Sequence, residues 1–209
     1  MKVAVLDYAI GNLRSAQKAL QRAGADAHLT ADADEIAAAD GVVLPGVGNF
    51  GACMDALDGT GLTDQAKVAA TSGRPFLGIC VGMQLLYEWS DESPGRPGLG
   101  LLPGTIRLLP DGVKRPQMQW NRLAVSSHPL MRGLEGQWMY FVHSYAAQVD
   151  ENVIATVDYG GPVAAAAARG NVWATQFHPE KSADAGRHLL ENWVRTVADS
   201  IALLRQDHS

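Results

Sequence analysis

The sequence predicts an α/β fold with a doubly wound, mostly parallel sheet, helices on both faces and antiparallel strands at one edge. Up to about residue 89, apolar strand-like runs alternate with helix-like segments, which is typical of βαβ units with right-handed crossovers. The run GVVLPG at 41–46 is unbroken and apolar, as in a strand that a parallel sheet buries on both faces. After residue 104, strand-like runs follow one another without helices between them, which indicates antiparallel hairpins.

The elements of the first half follow from residue spacing and from capping residues. Asn12 is placed to cap a first helix, and Gly24 is placed to end it. Phe50, Met54 and Leu57 have the i, i+4, i+7 spacing of a helix with one apolar face. The predicted strands cover residues 2–8, 26–30, 41–46 and 75–79, and further helices are predicted at 63–72 and 81–89. The acidic, alanine-rich stretch 31–40 is assigned no element.

The second half begins with a Pro/Gly-rich loop at 90–104 and ends with a long amphipathic helix at 183–205. Its strands are predicted at 105–109, 122–126, 138–145, 153–160, 163–169 and 172–177. The segment PVAAAAAR is ambiguous, because alanine has the highest helix propensity. Too few residues separate its flanking glycines for a stable helix, so a strand is predicted there. With no repeat or linker, residues 1–209 are expected to form a single domain.

Composition and charge argue against several classes of protein. A net charge of -5 without a basic cluster argues against nucleic acid as a partner. Cys53 and Cys80 are the only cysteines and lack zinc-ligand spacing, so we expect a reducing compartment such as the cytoplasm, no metal and no other cofactor. We expect no signal peptide and no membrane span, because no apolar run approaches the length of about 18 residues that a span needs.

The pentapeptide Gly78-Ile79-Cys80-Val81-Gly82 has the form of a nucleophile elbow. In such an elbow a sharp strand-to-helix turn holds the central side chain out over the carboxyl edge of the sheet. The unpaired N–H groups and partial positive charge of a helix N-terminus favour the thiolate form of a cysteine placed there. The sequence therefore predicts that Cys80 is a nucleophile, while a buried inert cysteine is the alternative.

A cysteine nucleophile needs a base, and the base needs a third group to fix its tautomer. The stretch WATQFHPEKS supplies both at the end of an apolar strand: His178 is the candidate base, and Glu180 follows a turn at Pro179. His-Pro-Glu alone is more often a surface turn than a site. Its combination with the elbow favours a catalytic triad.

Acyl chemistry also needs N–H donors for the developing oxyanion. The Val81 N–H, directly after the nucleophile, is one candidate. The second is predicted in the Gly-rich turn PGVGNF, with Val47 favoured over Gly48. An ordinary strand–helix turn is the alternative, and a phosphate cradle is disfavoured because no Lys and no Ser or Thr stands in the Walker position.

The segments PGVGNFGACMDAL, GICVGMQLLYE, GLGLLPG, YFVHSY and QFHPEKS occur in this order over nearly the whole chain. In this combination they resemble the class I, triad-type glutamine amidotransferases. Together with DYxxGNLRS near the N-terminus, they are similar more narrowly to the glutaminase subunits of imidazole glycerol phosphate synthase. The resemblance implies that Cys80 attacks the side-chain amide of glutamine, His178 shuttles the proton and Glu180 orients His178. Water then releases glutamate from the thioester.

The resemblance also implies a partner, a (βα)8-barrel cyclase subunit that forms a heterodimer with this chain. Ammonia would pass directly to the barrel and join a phosphoribosyl-type intermediate of histidine biosynthesis, giving imidazole glycerol phosphate and an aminoimidazole carboxamide ribotide. A closed interface keeps ammonia reactive, because in neutral water most of it becomes ammonium, which is no nucleophile.

Contacts to glutamine and to the partner are implied at individual positions. The residues implied to line the glutamine pocket are Gly46, Gln84, Glu92, Ser144 and Tyr145. The residues implied at the partner surface are Asn12, Trp120, Asn121, Tyr140 and Lys181. Structural roles remain open: Gln84 as an ordinary polar helix residue, Glu92 as a solvated loop charge and Trp120 as a half-buried core residue. The polar loop RPQMQWN, expected around Trp120, has Gln117 and Gln119 where these subunits usually have His and Gly.

Three alternatives have different discriminating features. Glutaminase subunits of anthranilate, carbamoyl phosphate or GMP synthesis share the triad, but FHPEKS and GNLRS argue against them. A cysteine peptidase or chaperone of similar fold commonly has His directly after the elbow cysteine, where this chain has Val81. A catalytically silent binding subunit would lack a triad member, and all three are present.

Overall fold

The computed structural model describes residues 1–206 and confirms the predicted α/β fold. Within these residues the strands are β1 (Lys2–Leu6), β2 (Asp26–Thr30), β3 (Gly41–Gly46), β4 (Phe76–Cys80), β5 (Trp89–Ser90), β6 (Thr105–Leu108), β7 (Gln117–Arg122), β8 (Ala124–Val125), β9 (Trp138–His143), β10 (Tyr145–Ala147), β11 (Val153–Asp158), β12 (Pro162–Arg169) and β13 (Val172–Thr175). The helices are α1 (Leu13–Arg22), α2 (Ala33–Ala38), α3 (Phe50–Gly59), α4 (Leu62–Thr71), α5 (Val81–Leu85) and α6 (Ala183–Gln206), with 3-10 turns at Pro129–Met131 and Pro179–Lys181. Among them, no helix combines the length and the apolar character that crossing a bilayer requires.

The main sheet has eight strands in the order β2-β1-β3-β4-β13-β12-β11-β8. The first five are parallel, and β12, β11 and β8 continue the sheet in antiparallel pairing, which confirms antiparallel strands at one edge. Helices α1 and α6 pack on each other, while α4 packs against α2 and α3. Right-handed crossovers place these two groups on opposite faces. The strands β3, β4 and β13 therefore end at one rim between the two helical layers.

Several strands predicted for the edge of the main sheet belong to two smaller sheets instead. One small sheet has the order β10-β6-β5, and the other is the antiparallel pair β7-β9. The predicted strand 138–145 is interrupted at Ser144, so that its two parts join different sheets. The expectation of a polar loop around Trp120 is wrong, because Gln117–Arg122 forms β7. Most of β7 is exposed, so it has no buried apolar face. Its hydrogen-bonded pairing with β9 stabilises it instead.

Two helices differ from the sequence expectation. The stretch 31–40 contains the short helix α2, which Asp32 caps by accepting hydrogen bonds from the N–H groups of Asp34 and Glu35. Helix α5 ends at Leu85 rather than near residue 89. The Leu85 carbonyl accepts a hydrogen bond from the Leu99 N–H at 2.7 Å, so the following loop replaces the next helical turn. The predicted strand in PVAAAAAR is confirmed as β12.

Asn12 does occupy the N-cap position of α1, but its side chain accepts no hydrogen bond from the helix backbone. Its Oδ1 accepts a hydrogen bond from the Ser15 hydroxyl at 2.8 Å. The prediction that Gly24 ends this helix is confirmed, because α1 ends at Arg22 and Gly24 follows with a φ of 100°.

Candidate active site

The elbow at the end of β4 has the sharp backbone geometry that its sequence predicts. Cys80 has φ 56° and ψ -114°, a conformation that a residue with a Cβ rarely adopts and that costs about 1–3 kcal/mol. A Cβ built on Gly82 would lie 1.8 Å from the Leu44 carbonyl oxygen, and one on Gly46 would lie 2.7 Å from the Gly82 nitrogen. Glycine is therefore required at both positions for β3 to approach the elbow. The resulting packing holds Cys80 in its strained conformation at the rim of the sheet.

His178 and Glu180 lie on the neighbouring strand end and form a direct pair. The His178 Nδ1 is 2.7 Å from Glu180 Oε1, and both side chains are almost completely buried. This contact indicates that Nδ1 carries a proton and donates a hydrogen bond to the Glu180 carboxylate. The other ring nitrogen, Nε2, is therefore the one available to Cys80. The backbone holds the pair in place, because the His178 N–H donates to the Tyr140 carbonyl at 3.1 Å.

Ser182 also fixes this segment, and sequence reasoning missed it. Its hydroxyl donates to the His178 carbonyl at 2.7 Å and accepts from the Tyr140 N–H at 3.0 Å. Ser182 is 1% exposed, so these bonds are shielded from water. The only signal in the sequence is the serine that closes FHPEKS, which could equally have been a surface cap.

The electrostatics of His178 depend on both neighbours. Burial lowers the pKa of His178, but hydrogen bonding to Cys80 and Glu180 and their negative charge outweigh burial and raise the pKa to about 9. The imidazole is therefore charged at neutral pH when a thiolate faces it. Cys80 and His178 are 3% and 2% exposed, so this ion pair is kept from bulk water.

A buried amide network connects the elbow to the start of β10. The Gln84 Nε2 donates to the Tyr145 carbonyl at 2.9 Å and to Gln176 Oε1 at 3.0 Å. The Gln176 Nε2 in turn lies 3.9 Å from Cys80 Sγ, as a donor to sulfur. Both amide hydrogens of Gln84 are used, so only its carbonyl oxygen is left for a ligand. Gln176 was missed by sequence reasoning, although a polar residue two positions before His178 in an apolar strand was a detectable signal.

A cavity of about 420 Å³ opens above the elbow. The predicted site residues that line it are Asn12, Val47, Gly48, Cys80, Val81, Gln84, Glu92, Ser144, Tyr145, His178 and Lys181. The other predicted residues lie outside this lining: Gly46, Glu180, Trp120, Asn121 and Tyr140. Gly46 adjoins the elbow from below, and Glu180 lies behind His178. The structure therefore brings the candidate nucleophile, the candidate base and most of the residues implied to bind glutamine to one concave surface.

Glu92 has a structural contact in addition to its place at the cavity. Its Oε2 accepts a hydrogen bond from the Phe50 N–H at 2.7 Å, at the first turn of α3. A carboxylate there is stabilised by the partial positive charge of the helix N-terminus. The interpretation of Glu92 as a freely solvated loop charge is therefore wrong, and one carboxylate oxygen remains for a ligand.

The candidate oxyanion donors adjoin each other at the end of the β3–β4 ladder. The Val42 N–H donates across this ladder at 3.0 Å, and the register continues to the pair Gly46 and Cys80. Because hydrogen bonds alternate regularly along a parallel ladder, this register directs the Gly46 carbonyl at the Val81 N–H. A trans peptide holds its N–H opposite its carbonyl, so the Val47 N–H points away from Val81. In this conformation one candidate donor is covered and the other is turned away.

His143 lies at the cavity wall with an unusual protonation state. Its Nδ1 is 2.8 Å from the Tyr145 carbonyl, and Nε2 is buried without a hydrogen-bond partner among residues 1–206. Burial lowers the pKa of His143 to about 4, with the positive charge of His178 acting in the same direction. The hydrogen bond to the Tyr145 carbonyl raises this pKa, but the effect is smaller than that of burial. His143 is therefore neutral at physiological pH and leaves His178 as the charged imidazole.

Three of the predicted partner residues, Trp120, Tyr140 and Lys181, form a continuous strip beside the cavity. Trp120 on β7 packs edge-on against Tyr140 on β9, with ring centroids 5.9 Å apart. The Lys181 ammonium lies 5.9 Å from the centroid of Tyr140, so the strip ends at the cavity lining. Trp120 is 43% exposed, so Tyr140 covers part of its ring and a large part stays accessible. Asn121 is tied to its own chain, since its Nδ2 donates to the Asp158 carbonyl at 3.0 Å.

The side-chain amides of Gln117 and Gln119 form hydrogen bonds within this chain. Both side chains donate to Asn121 Oδ1. Gln117 is fully buried, whereas Gln119 is exposed. The two positions that depart from the usual P-H-M-G-W-N pattern therefore serve to order β7 around Asn121.

Comparison with known proteins identifies the family of the chain. Residues 4–197 match the family described as Glutamine amidotransferase class-I. The chain is 49% identical over 205 residues to the imidazole glycerol phosphate synthase subunit HisH of Synechococcus elongatus, with 94% of each chain covered. It is 45% identical over 205 residues to the corresponding HisH subunit of Symbiobacterium thermophilum, which covers 96% of this chain and 97% of that protein.

Solved structures support the fold at lower sequence identity. A structure described as a glutamine amidotransferase has a TM-score of 0.73 and 23% identity, and covers 92% of this chain and 98% of its own. The structure of PurLQS from Thermotoga maritima has a TM-score of 0.73 and 21% identity, and covers 94% of this chain and 98% of its own.

Proposed function

Since the chain belongs to the class-I glutamine amidotransferases, and within them to the HisH subunits of imidazole glycerol phosphate synthase, we propose that it hydrolyses glutamine with a Cys80-His178-Glu180 triad and delivers the ammonia to a cyclase subunit. The observation that carries the proposal is the buried His178–Glu180 pair, which faces the strained elbow of Cys80 across one cavity. This arrangement supplies a nucleophile, a proton carrier and a group that orients the carrier.

The proposed reaction begins with a thiolate–imidazolium pair. The Cys80 sulfur attacks the side-chain carbonyl carbon of glutamine, and the carbonyl electrons move to an oxyanion. His178 gives its proton to the leaving nitrogen, so that ammonia departs and a thioester to Cys80 remains. Water then attacks the thioester while His178 accepts a proton from it. The carbon–sulfur bond breaks, which regenerates the Cys80 thiolate and releases glutamate. The raised pKa of His178, about 9, supports its role as the acid of the first step.

The cavity also supports specific roles in glutamine binding. We assign the free Gln84 carbonyl oxygen to a hydrogen-bond donor of glutamine, because both Gln84 amide hydrogens are already used. The remaining Glu92 oxygen is suited to the α-ammonium group, and the Ser144–Tyr145 backbone lines the pocket. Gly46 then acts through the loop rather than by touching the substrate.

The oxyanion site requires a conformational step. The Gly46 carbonyl covers the Val81 N–H, and rotation of the Gly46–Val47 peptide would uncover it and turn the Val47 N–H toward the same point. We propose Val47 and Val81 as the two oxyanion donors, with Gly48 as the flexible end of the turn. This requirement explains how glutamine hydrolysis would wait for the barrel partner, which would bind across Asn12, Trp120, Tyr140 and Lys181.

The test compares two nitrogen sources in the complex of this chain with a barrel cyclase subunit. Cys80→Ala should abolish glutamine-dependent synthesis and leave ammonia-dependent synthesis intact, because only the glutaminase step needs the thiol. The wild-type chain alone should show weak glutaminase activity that rises when the partner and its nucleotide ligand are added. Retained glutamine-dependent synthesis in Cys80→Ala contradicts the triad, and full activity of the lone chain contradicts the conformational step.

A further inference from the structure

Two buried side chains hold the loop that carries the proposed oxyanion donors. The Tyr8 hydroxyl donates to the Pro45 carbonyl at 2.6 Å, and the Cys53 thiol donates to the Val47 carbonyl at 3.3 Å. Both side chains are 0% exposed. The two accepting carbonyls lie on either side of the Gly46–Val47 peptide, whose rotation the proposed function requires.

The side chains that hold the loop are themselves firmly placed. Tyr8 follows β1, a strand paired on both sides in the parallel part of the sheet, and Cys53 lies in the first turns of α3. The start of α3 is fixed twice, by the Glu92 carboxylate on the Phe50 N–H and by the Asn49 side chain on the Ala52 N–H. The loop is therefore attached to two elements that do not depend on its own conformation.

Both groups remain hydrogen-bond donors across the working pH range. Burial raises the pKa of Cys53 to about 11 against the lowering effect of its hydrogen bonds to Tyr8 and Val47, and the neighbouring Cys80 and Glu92 charges act in the same direction as burial. Burial likewise raises the pKa of Tyr8 above its ordinary value. Cys53 thus acts as a neutral thiol, in contrast to the nucleophilic role proposed for Cys80.

We propose that Cys53 and Tyr8 are positioning residues that clamp the carbonyls of Val47 and Pro45, so that activation rotates the Gly46–Val47 peptide alone. The inference rests on the proposed function, because it concerns the oxyanion loop of that reaction. Rotation of this peptide changes ψ of Gly46 and φ of Val47, and Gly46, which lacks a Cβ, permits the change on its side of the peptide. Held at both ends, the loop has few alternatives to its resting and active conformations.

Loss of the Cys53 donor should lower the population of the active conformation. A freed Val47 carbonyl lets the loop adopt additional unproductive conformations, and a single neutral hydrogen bond corresponds to a decrease in kcat of about fivefold. The hydrogen bonds of Gln84 and Glu92, the groups proposed to hold glutamine, do not involve the Cys53 side chain. The KM for glutamine should therefore change by less than about twofold.

The experiment uses the reconstituted complex with the barrel subunit and its nucleotide ligand. Cys53→Ala removes the donor, while Cys53→Ser keeps a donor at the same position and should restore at least about half of the wild-type kcat. Tyr8→Phe removes one oxygen at the other end of the clamp and should also lower kcat without raising KM. Thermal unfolding and ammonia-dependent synthesis report whether each variant folds and assembles. If Cys53→Ala does not fold, Tyr8→Phe carries the same test.

The outcomes separate this inference from the proposed function. Wild-type kcat in Cys53→Ala, equal losses in the alanine and serine variants, or a loss that resides in KM would each overturn the clamp. In all three cases the wild-type complex still hydrolyses glutamine. A wild-type complex without Cys80-dependent glutamine hydrolysis would instead refute the proposed function itself.

Discussion

Replacing Glu180 by Gln removes the negative charge beside His178 and keeps a side chain of nearly the same shape. The charge matters because Glu180 contacts the His178 Nδ1 at 2.7 Å in a site where both side chains are buried. Burial alone would lower the pKa of His178, so its value of about 9 requires its two partners to overcome burial. The variant therefore isolates the contribution of the carboxylate charge to the raised pKa of His178.

The size of the effect follows from the same balance. The partners raise the pKa of His178 from 6.5 to about 9 against burial, and Cys80 and Glu180 contribute to this rise through the same kinds of interaction. If Glu180 provides about half of the increase, its loss moves the pKa down by about one pH unit or more, which corresponds to about 1.4 kcal/mol. The sign is fixed, because a raised pKa favours the protonated imidazole at neutral pH and that advantage disappears as pH rises through 9.

The assay is the pH dependence of kcat/KM for glutamine in the complex with the barrel subunit. In the wild type the alkaline limb should lie near pH 9 and report loss of the proton from the Cys80–His178 pair as a unit. In Glu180→Gln the limb should move toward neutral pH, and maximal activity should fall because the Nδ1 contact is weakened. Glu191→Gln is a suitable control, since this partly exposed α6 residue, among residues 1–206, forms its ion pair with Arg187 and lies outside the cavity lining. An unchanged alkaline limb in Glu180→Gln would refute the electrostatic role of the carboxylate.

Three further predictions concern stability and partner binding. Gly82→Ala should destabilise the fold by about 3 kcal/mol or more, because its Cβ would lie 1.8 Å from a backbone oxygen, whereas Gly59→Ala, with open space around its Cβ, should be nearly neutral in thermal unfolding. Burial lowers the pKa of His143 to about 4 in the folded protein, so protonation favours the unfolded chain as pH falls from 6.5 through 4. The free energy of unfolding should decrease by up to roughly 3 kcal/mol over that range, and denaturant titration of His143→Gln should show a weaker decrease. Trp120→Ala should weaken binding of the barrel subunit by about tenfold or more in calorimetry, while Trp89→Ala, equally exposed on a different small sheet, should leave affinity unchanged.

The parts of the fold that the sequence predicted well are those where local pattern and burial agree. The strands β3 and β4 are fully buried, so their apolar runs had one consistent interpretation. The elbow at Cys80 was predictable because a close backbone approach leaves room only for glycine at neighbouring positions. The place of His178 at the same rim follows from β13 pairing with β4 in parallel.

The remaining features depend on contacts between distant segments. Strand β7 is mostly exposed and its residues are polar, so its pattern resembled a loop until β9 supplied the pairing. Helix α5 is short because residues near 99 bind its last carbonyls, which no local signal indicates. The role of Gln176 follows from its contacts with Gln84 and Cys80, which lie 92 and 96 positions away in the chain. Single-sequence reasoning detects residue types and turns, but it does not detect which buried polar groups meet.

The oxyanion loop links the stability of the sheet to the proposed activation. The hydrogen bond that extends the β3–β4 ladder to Gly46 is also the one that covers the Val81 N–H, so pairing and catalysis compete for one donor. Breaking one such bond costs about 0.5–1.5 kcal/mol, which corresponds to an activation of about twofold to tenfold. If the Cys53 clamp confines rotation to one peptide, stimulation of kcat by the partner should stay near that range. A thousandfold stimulation would require about 4 kcal/mol, and the rearrangement would then have to extend beyond the clamped peptide.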